Sequence, residues 1–436
     1  MGVKLQATAR LLTIAVACVL SVGAGSAAVV EAVTAGVVTL AEESGSRDLR
    51  ALAASRDSGD AATYEVPYRS EISSLGPVDP SVEATVRFED AWFAGSPAEY
   101  DNELARTCAA LSAACNSQSR ARASARGDVV VALANLGFED VDVSSYEGRS
   151  SVFDELLNIV EGETDVVAYA FAHRELRDEA GRPAGELVFV GVRGTYGSEW
   201  ISNFNVGASG GAESGHAGFS RASAEVATSL DAYLAAHRLD DEPVTFLLCG
   251  HSRGGAVANL LAANLIDRAY AGEAGWTVES VRAYTFASPN ASGCGERTSS
   301  RYDGVFNVVN PADAVARVPL SSQGMGLFGV TVKLPDSSRE GASGSFARMQ
   351  ESRALLTGCN VEGEKASSAR ALDALERSLD GMLSCSGSVA SALRVVDVAV
   401  AATRLDLVST VVAHSPDTYL SWLSVIEPAA LRFGSR

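Results

Sequence analysis

One junction limits what this chain can fold into. The apolar run VTFLLC (Val244–Cys249) passes through GHSRGG directly into a helical pattern, Gly255–Tyr270. A strand that turns into a helix within so few residues needs small side chains at the turn. Gly250 and Gly254 supply them, one on each side of Ser252. The same rhythm runs through the middle of the chain. Strands are expected at Asp165–His173, Glu186–Val192, Val281–Ala287 and Val305–Val309, with RDEAGRP as a hairpin turn between the first two. Helices are expected at Glu99–Cys115, Val129–Leu136 and Ala222–Ala236, the last with Val226, Leu230, Tyr233 and Leu234 on one stripe. Short apolar strands alternating with amphipathic helices predict an α/β fold, a mostly parallel central sheet with helices on both faces. Such sheets place their sites at the carboxyl ends of the strands.

Outside that block the pattern changes. Lys4 and Arg10 precede the weakly apolar run Leu11–Val30, so residues 1–30 read as a secretory signal peptide or an N-terminal anchor. The run is close to the roughly 20 apolar residues a bilayer demands, but its Ala, Gly and Ser favour cleavage over anchoring. Residues 31–79 read as a polar linker or arm, and the globular domain is expected over 80–436. Residues 335–409 hold a Gly/Ser-rich start and then helical patterns, and read as a helical insertion. The whole is expected to lie outside the cell or on its surface.

A formal net charge of -19 opposes contact with phosphate backbones, which argues against nucleic acid as a partner. Seven cysteines are too few for a disulfide scaffold of this length, and none sits in a zinc-ligand spacing, so no metal is expected. Cys108 and Cys115 lie about 10 Å apart along one helix, too far to bond to each other, while Cys359 and Cys385 remain candidates to pair.

A serine on such a turn sits at a helix N-terminus, where amide dipoles favour developing negative charge. To act as a nucleophile it needs a base and an orienting acid. With G-x-S-x-G between strand and helix, the chain order is serine, acid, histidine. Of the five histidines, His251 adjoins the serine with its ring expected to point away, His237 ends a surface helix, His173 lies in a strand and His216 follows a glycine-rich loop. His414, expected in a loop before a late helix, fits the order as base. Asp313 follows the apolar strand Val305–Val309 and fits as acid, although such a residue also serves to cap turns. Asp303 stands at the wrong end of that strand, and Asp267 on the helix after the serine.

Four blocks in this order, VFVGVRGTYGSEWISNF, FLLCGHSRGGAVANLLA, FNVVNPADAVARVP and AHSPDTYL, resemble the class 3 (fungal-type) lipase family of alpha/beta hydrolases. The resemblance implies Ser252 as nucleophile, Asp313 as acid, His414 as base, and an oxyanion hole from Thr195 and the backbone N–H of Arg253. It implies hydrolysis of carboxylic esters, of lipids foremost, without cofactor or metal, and transient contact with a lipid interface. Phospholipase, small-ester esterase or acyltransferase activity on the same triad, or a silent binding protein, stand as alternatives. The resemblance also suggests a lid over 198–206 with Trp200, Ile201 and Phe204 covering the site; the alternative is that these are core residues on one helix face. Arg253 departs from the family, which more often has leucine there. Its side chain faces either a channel for an anionic headgroup or solvent and an acidic neighbour. Protein partners are not indicated.

Overall fold

The computed structural model describes residues 62–74, 78–117, 128–144, 167–194, 217–239, 243–336, 343–361, 366–384 and 407–434. The signal segment, Thr195, the lid candidates Trp200, Ile201 and Phe204, and Cys385 lie outside them.

The elements in chain order are β1 (Thr63–Arg69), β2 (Ser81–Arg87), α1 (Asn102–Ser117), α2 (Asp128–Asn135), β3 (Glu139–Val143), β4 (Tyr169–Arg177) and β5 (Pro183–Val192). There follow α3 (Ala217–His237), β6 (Val244–His251), α4 (Arg253–Tyr270), β7 (Val281–Phe286), β8 (Val305–Val309) and β9 (Val330–Lys333). The chain ends with α5 (Ser343–Thr357), α6 (Ala366–Ser384), α7 (Leu407–His414), α8 (Pro416–Val425) and β10 (Arg432–Phe433). An eight-stranded sheet runs in the order β10-β9-β8-β7-β6-β5-β4-β3. Strands β5 to β9 are parallel, and the antiparallel pairs lie at the two edges. This is a mostly parallel α/β arrangement.

The pleat of β6 explains the helices on both faces. Leu247 and Cys249 point into a core shared with α1, α2 and α8, while Phe246 and Leu248 point into one shared with α3 and α4. A strand buried on both sides reads as a continuous apolar run, which is why VTFLLC was legible.

Two expectations change. The packed domain begins at Thr63, not near Pro80. β1 and β2 pair in register from Thr63↔Arg87 to Arg69↔Ser81, and Val66, Tyr68 and Val86 are core residues. Glu65 and Arg69 beside the buried residues give β1 the look of the linker expected over 31–79. Within the stretch expected as an insertion, α5 lies against α8. Arg353 donates to Thr418 Oγ1 (3.2 Å) and Val361 O (2.6 Å), and Ser352 Oγ meets Ser424 Oγ at 2.7 Å. The insertion therefore braces the helix that follows His414. Strands β3 and β9 were not anticipated; β3 is a partly exposed edge strand whose charged residues hide its pattern.

Cys108, Cys115, Cys249 and Cys359 are buried. Burial pushes the Cys249 thiol up to about 12 and those of Cys108 and Cys115 well above their ordinary value, so they act as protonated core side chains.

Candidate active site

Ser252 lies between the last residue of β6 and the first of α4, with φ 57° and ψ −128°. Few non-glycine residues adopt such a backbone, and it costs on the order of 1–3 kcal/mol, offset by the surrounding fold. The surroundings leave little choice. A Cβ on Gly250 would overlap the Gly254 carbonyl, and one on Gly254 would overlap the carbonyl of Val192 on β5. The Ser252 N–H is held by Phe286 O at 2.8 Å, and Ser252 O accepts the Ala256 N–H at 3.1 Å. The serine is thus pinned from β7 and from its own helix.

Asp313 follows β8 through a turn in which its N–H donates to Asn310 O at 3.0 Å, and it is fully buried. Its carboxylate accepts from the Val315 N–H (2.9 Å) and the Tyr419 hydroxyl (2.8 Å). It therefore also caps its own turn. His414 Nδ1 lies 3.0 and 2.9 Å from the two oxygens of Asp313, and His414 Nε2 lies 3.0 Å from Ser252 Oγ. A carboxylate only accepts, so Nδ1 carries the proton and Nε2 presents a lone pair to the serine hydroxyl. His414 is the last residue of α7, not part of a loop; Ser415 then caps α8, its side chain accepting from the Asp417 N–H. Two helices meeting at one residue leave the imidazole little freedom.

His251 does turn away from the serine, and does so with a purpose. Its Nε2 lies 2.7 Å from the carbonyl of His414 and its Nδ1 3.4 Å from Asn116 Nδ2. The carbonyl accepts, so Nε2–H donates and Nδ1 accepts from the amide. Burial, and then proximity to His414, hold the His251 pKa well below its ordinary value, keeping the ring neutral. The other end of Asn116 accepts the Gly194 N–H at 2.8 Å. A chain of contacts thus runs from the residue before Thr195, through α1 and β6, to the backbone of His414. Asn116, His251 and Tyr419 were not assigned roles by the sequence analysis. His251 stands inside GHSRGG and Tyr419 inside the AHSPDTYL block, whereas Asn116 lies in no recognised motif.

A second buried carboxylate lies three residues past His414. Asp417 accepts from the Tyr68 hydroxyl (2.7 Å), Ser70 Oγ (3.0 Å), the Ile72 N–H (3.1 Å) and Ser415 Oγ (2.9 Å). Burial raises its pKa despite these donors. Asp417 ties the end of β1 to the base of α8.

The nucleophile candidate, the acid candidate, strands β6 to β8 and the end of β5 fall within residues 189–323, and this segment matches the family model for lipase (class 3). The match is to a lipase family, and it carries the activity class of a carboxylic ester hydrolase. The chain is similar to the Rhizomucor miehei triacylglyceride lipase at 20% identity and TM-score 0.37, over 55% of this chain and 83% of that one. It is also similar to lipase II from Rhizopus niveus (19%, TM-score 0.34, 52% and 78%) and to a lipase from Rhizopus microsporus var. chinensis (18%, 0.33, 57% and 76%). No curated protein matches it. His414 lies beyond the matched segment, so its position rests on its own geometry. Among the described residues, no helix is long and apolar enough to cross a membrane.

For the oxyanion hole, Arg253 opens α4, where the first N–H groups have no helical acceptor. Thr195 falls outside the described residues, but Gly194 does not. A Cβ there would crowd the carbonyl of His251, so the chain enters the Thr195 segment directly against the serine turn. The Arg253 side chain is partly exposed.

Proposed function

We propose that this protein is a secreted or surface-associated lipase that cleaves carboxylic esters of lipids through an acyl-enzyme on Ser252. The observation that carries the reading is the 3.0 Å approach of His414 Nε2 to Ser252 Oγ, with Nδ1 held by buried Asp313. Ser252 Oγ attacks the ester carbonyl as Nε2 takes its proton, and Asp313 stabilises the resulting imidazolium. Charge on the tetrahedral oxygen is met by the Arg253 N–H at the head of α4 and by Thr195, each such donor being worth about 3 kcal/mol. The imidazolium returns its proton to the departing alkoxide, leaving Ser252 acylated. Water, deprotonated by the same Nε2, then releases the carboxylic acid. Each step uses groups of the chain and water, and the mechanism calls for no cofactor.

The signal-like residues 1–30 support export, and the apolar Trp200, Ile201 and Phe204, proposed as a lid, would meet a lipid interface. A fluorophosphonate probe should label the wild type and not Ser252→Ala. No labelling of the wild type, or equal labelling of both, would overturn the assignment. Rates on esters of increasing chain length, with and without micelles, then separate a lipase from a small-ester esterase; release of fatty acid from phospholipid alone would point to a phospholipase.

A further inference from the structure

Away from Ser252, three side chains from separate elements converge. Asp140 lies in β3, His173 in β4, and His237 ends α3. Asp140 Oδ2 is 3.4 Å from His237 Nδ1 and 3.9 Å from His173 Nε2, and the two rings are 5.2 Å apart between centroids. Among the described residues this is the one place where three such groups bring ligand atoms within 4.8 Å of one another.

The hydrogen bonds around it determine which ring nitrogen is available. The Tyr233 hydroxyl donates its single proton to the backbone carbonyl of Asp140 at 3.0 Å. It also lies 2.9 Å from His173 Nδ1, so that contact must run the other way, with Nδ1–H donating to the hydroxyl oxygen. In the neutral ring Nε2 is then bare, and it faces a carboxylate. Two lone-pair groups pointed at each other repel unless a cation lies between them. A histidine that donates from one nitrogen to an orienting partner and presents the other is the arrangement found at metal sites.

Three further features favour a cation. The C-terminus of α3, at His237, carries the negative end of the helix dipole. Glu139 lies close enough to act electrostatically on His173, and Asp142 and Glu186 act likewise on Tyr233. Asp140 itself sits at φ 48° where the β3–β4 register shifts, an irregularity that aims its side chain at the two histidines' end of the sheet. In tetrahedral coordination at ~2.0–2.1 Å, ligand atoms stand roughly 3.3 Å apart; the spacings from Asp140 Oδ2, 3.4 and 3.9 Å, are close to that, and all three ligand atoms lie within 4.8 Å of one another.

We propose that Asp140 Oδ2, His173 Nε2 and His237 Nδ1 form a binding site for a divalent transition-metal ion of the zinc type, with water completing its coordination. Two imidazoles and one carboxylate favour zinc, cobalt or nickel over calcium or magnesium, which take oxygen ligands. The ion joins the edge strand β3 and strand β4 to the end of α3. Its role is to fasten this edge of the sheet, because the site belongs to none of the elements that carry Ser252, Asp313 or His414. The Asp140 side chain is 59% exposed, so ions can enter from solvent.

The test uses tag-free, chelator-treated full-length protein. Titration with zinc should show one saturable equivalent and raise Tm by a few degrees, and cobalt(II) should give the visible absorption of a four-coordinate ion. His237→Ala and Asp140→Asn should each abolish the Tm rise and the cobalt band while leaving fluorophosphonate labelling unchanged. His237 is the safer variant, since its side chain stands at a helix end and is 29% exposed. Absence of saturable zinc binding in the wild type, or the same stoichiometry and cobalt band in both variants, would overturn the proposal.

Discussion

Two groupings of histidine with aspartate occupy different parts of this molecule, and their surroundings give them different chemistry. At the carboxyl ends of β6 and β8, Asp313 is completely buried, anchored by Val315 N–H and Tyr419, and faces Nδ1 of a single imidazole. At the antiparallel edge, Asp140 is largely exposed and faces two imidazoles, one through Nε2 and one through Nδ1. In the first grouping the carboxylate takes up the ring's proton-bearing nitrogen and frees the other for the serine. In the second a tyrosine takes up that nitrogen, and the carboxylate meets the bare one. Residue types are shared; the partner of the second ring nitrogen separates the proposed general base from the proposed ligand set.

The sharpest way to break this comparison is to neutralise each aspartate in turn. Asp313→Asn should lower kcat by about 10⁴, because the amide presents the wrong hydrogen-bonding partner to Nδ1. Asp140→Asn, assayed without metal, should leave kcat within about twofold, since it removes no group from the reaction. Equal losses in ester turnover would collapse the distinction.

Asp417 sharpens it from the structural side, as a buried carboxylate near His414 with no imidazole partner. Asp417→Ala leaves four donors unmatched and should lower the unfolding free energy by about 3 kcal/mol in urea titrations. Activity per folded molecule should fall far less than in Asp313→Asn.

His251 gives a pH test. Its folded-state pKa is depressed, so the unfolded chain binds a proton that the native protein refuses. The stability linked to it is present above about pH 6.5 and declines as pH falls below that value, by about 1.4 kcal/mol per pH unit. Denaturation midpoints across pH 5–8 should show this slope in the wild type and a shallower one in His251→Asn.

A smaller loss of turnover than in Asp313→Asn is expected from Tyr419→Phe. Losing one donor to Asp313 should reduce kcat by about tenfold to a hundredfold, with KM unchanged, as for a hydrogen bond to a charged group worth about 1.5–3 kcal/mol. A change confined to KM would place Tyr419 with substrate binding instead.

How much of this could be read in advance depended on how local the signal was. VTFLLC, GHSRGG and the following helix form one continuous element, so the turn at Ser252 stood out in the chain. Asp313 was readable because it directly follows a buried strand. Strand β1 reads as part of a linker over 31–79, because its charged residues alternate with its buried ones and nothing nearby marks what it packs against. His414 was placed in a loop, because the short helix α7 ends on the histidine itself and Ser415 starts the next one. Asp140, His173 and His237 showed no metal spacing, since each belongs to a different element.

By itself, the sequence determined the alternation of strand and helix, the glycine-flanked serine and the order serine, aspartate, histidine. These follow from side-chain periodicity and steric size, which act over a few residues. Only the tertiary structure decided which imidazole nitrogen faces which partner, how Asn116 and His251 hold the backbone of His414, and how Asp417 draws the N-terminal hairpin against α8. Those depend on hydrogen-bond direction and burial between residues as much as 349 positions apart, and proximity of that kind exists only once the sheet has brought its helices together.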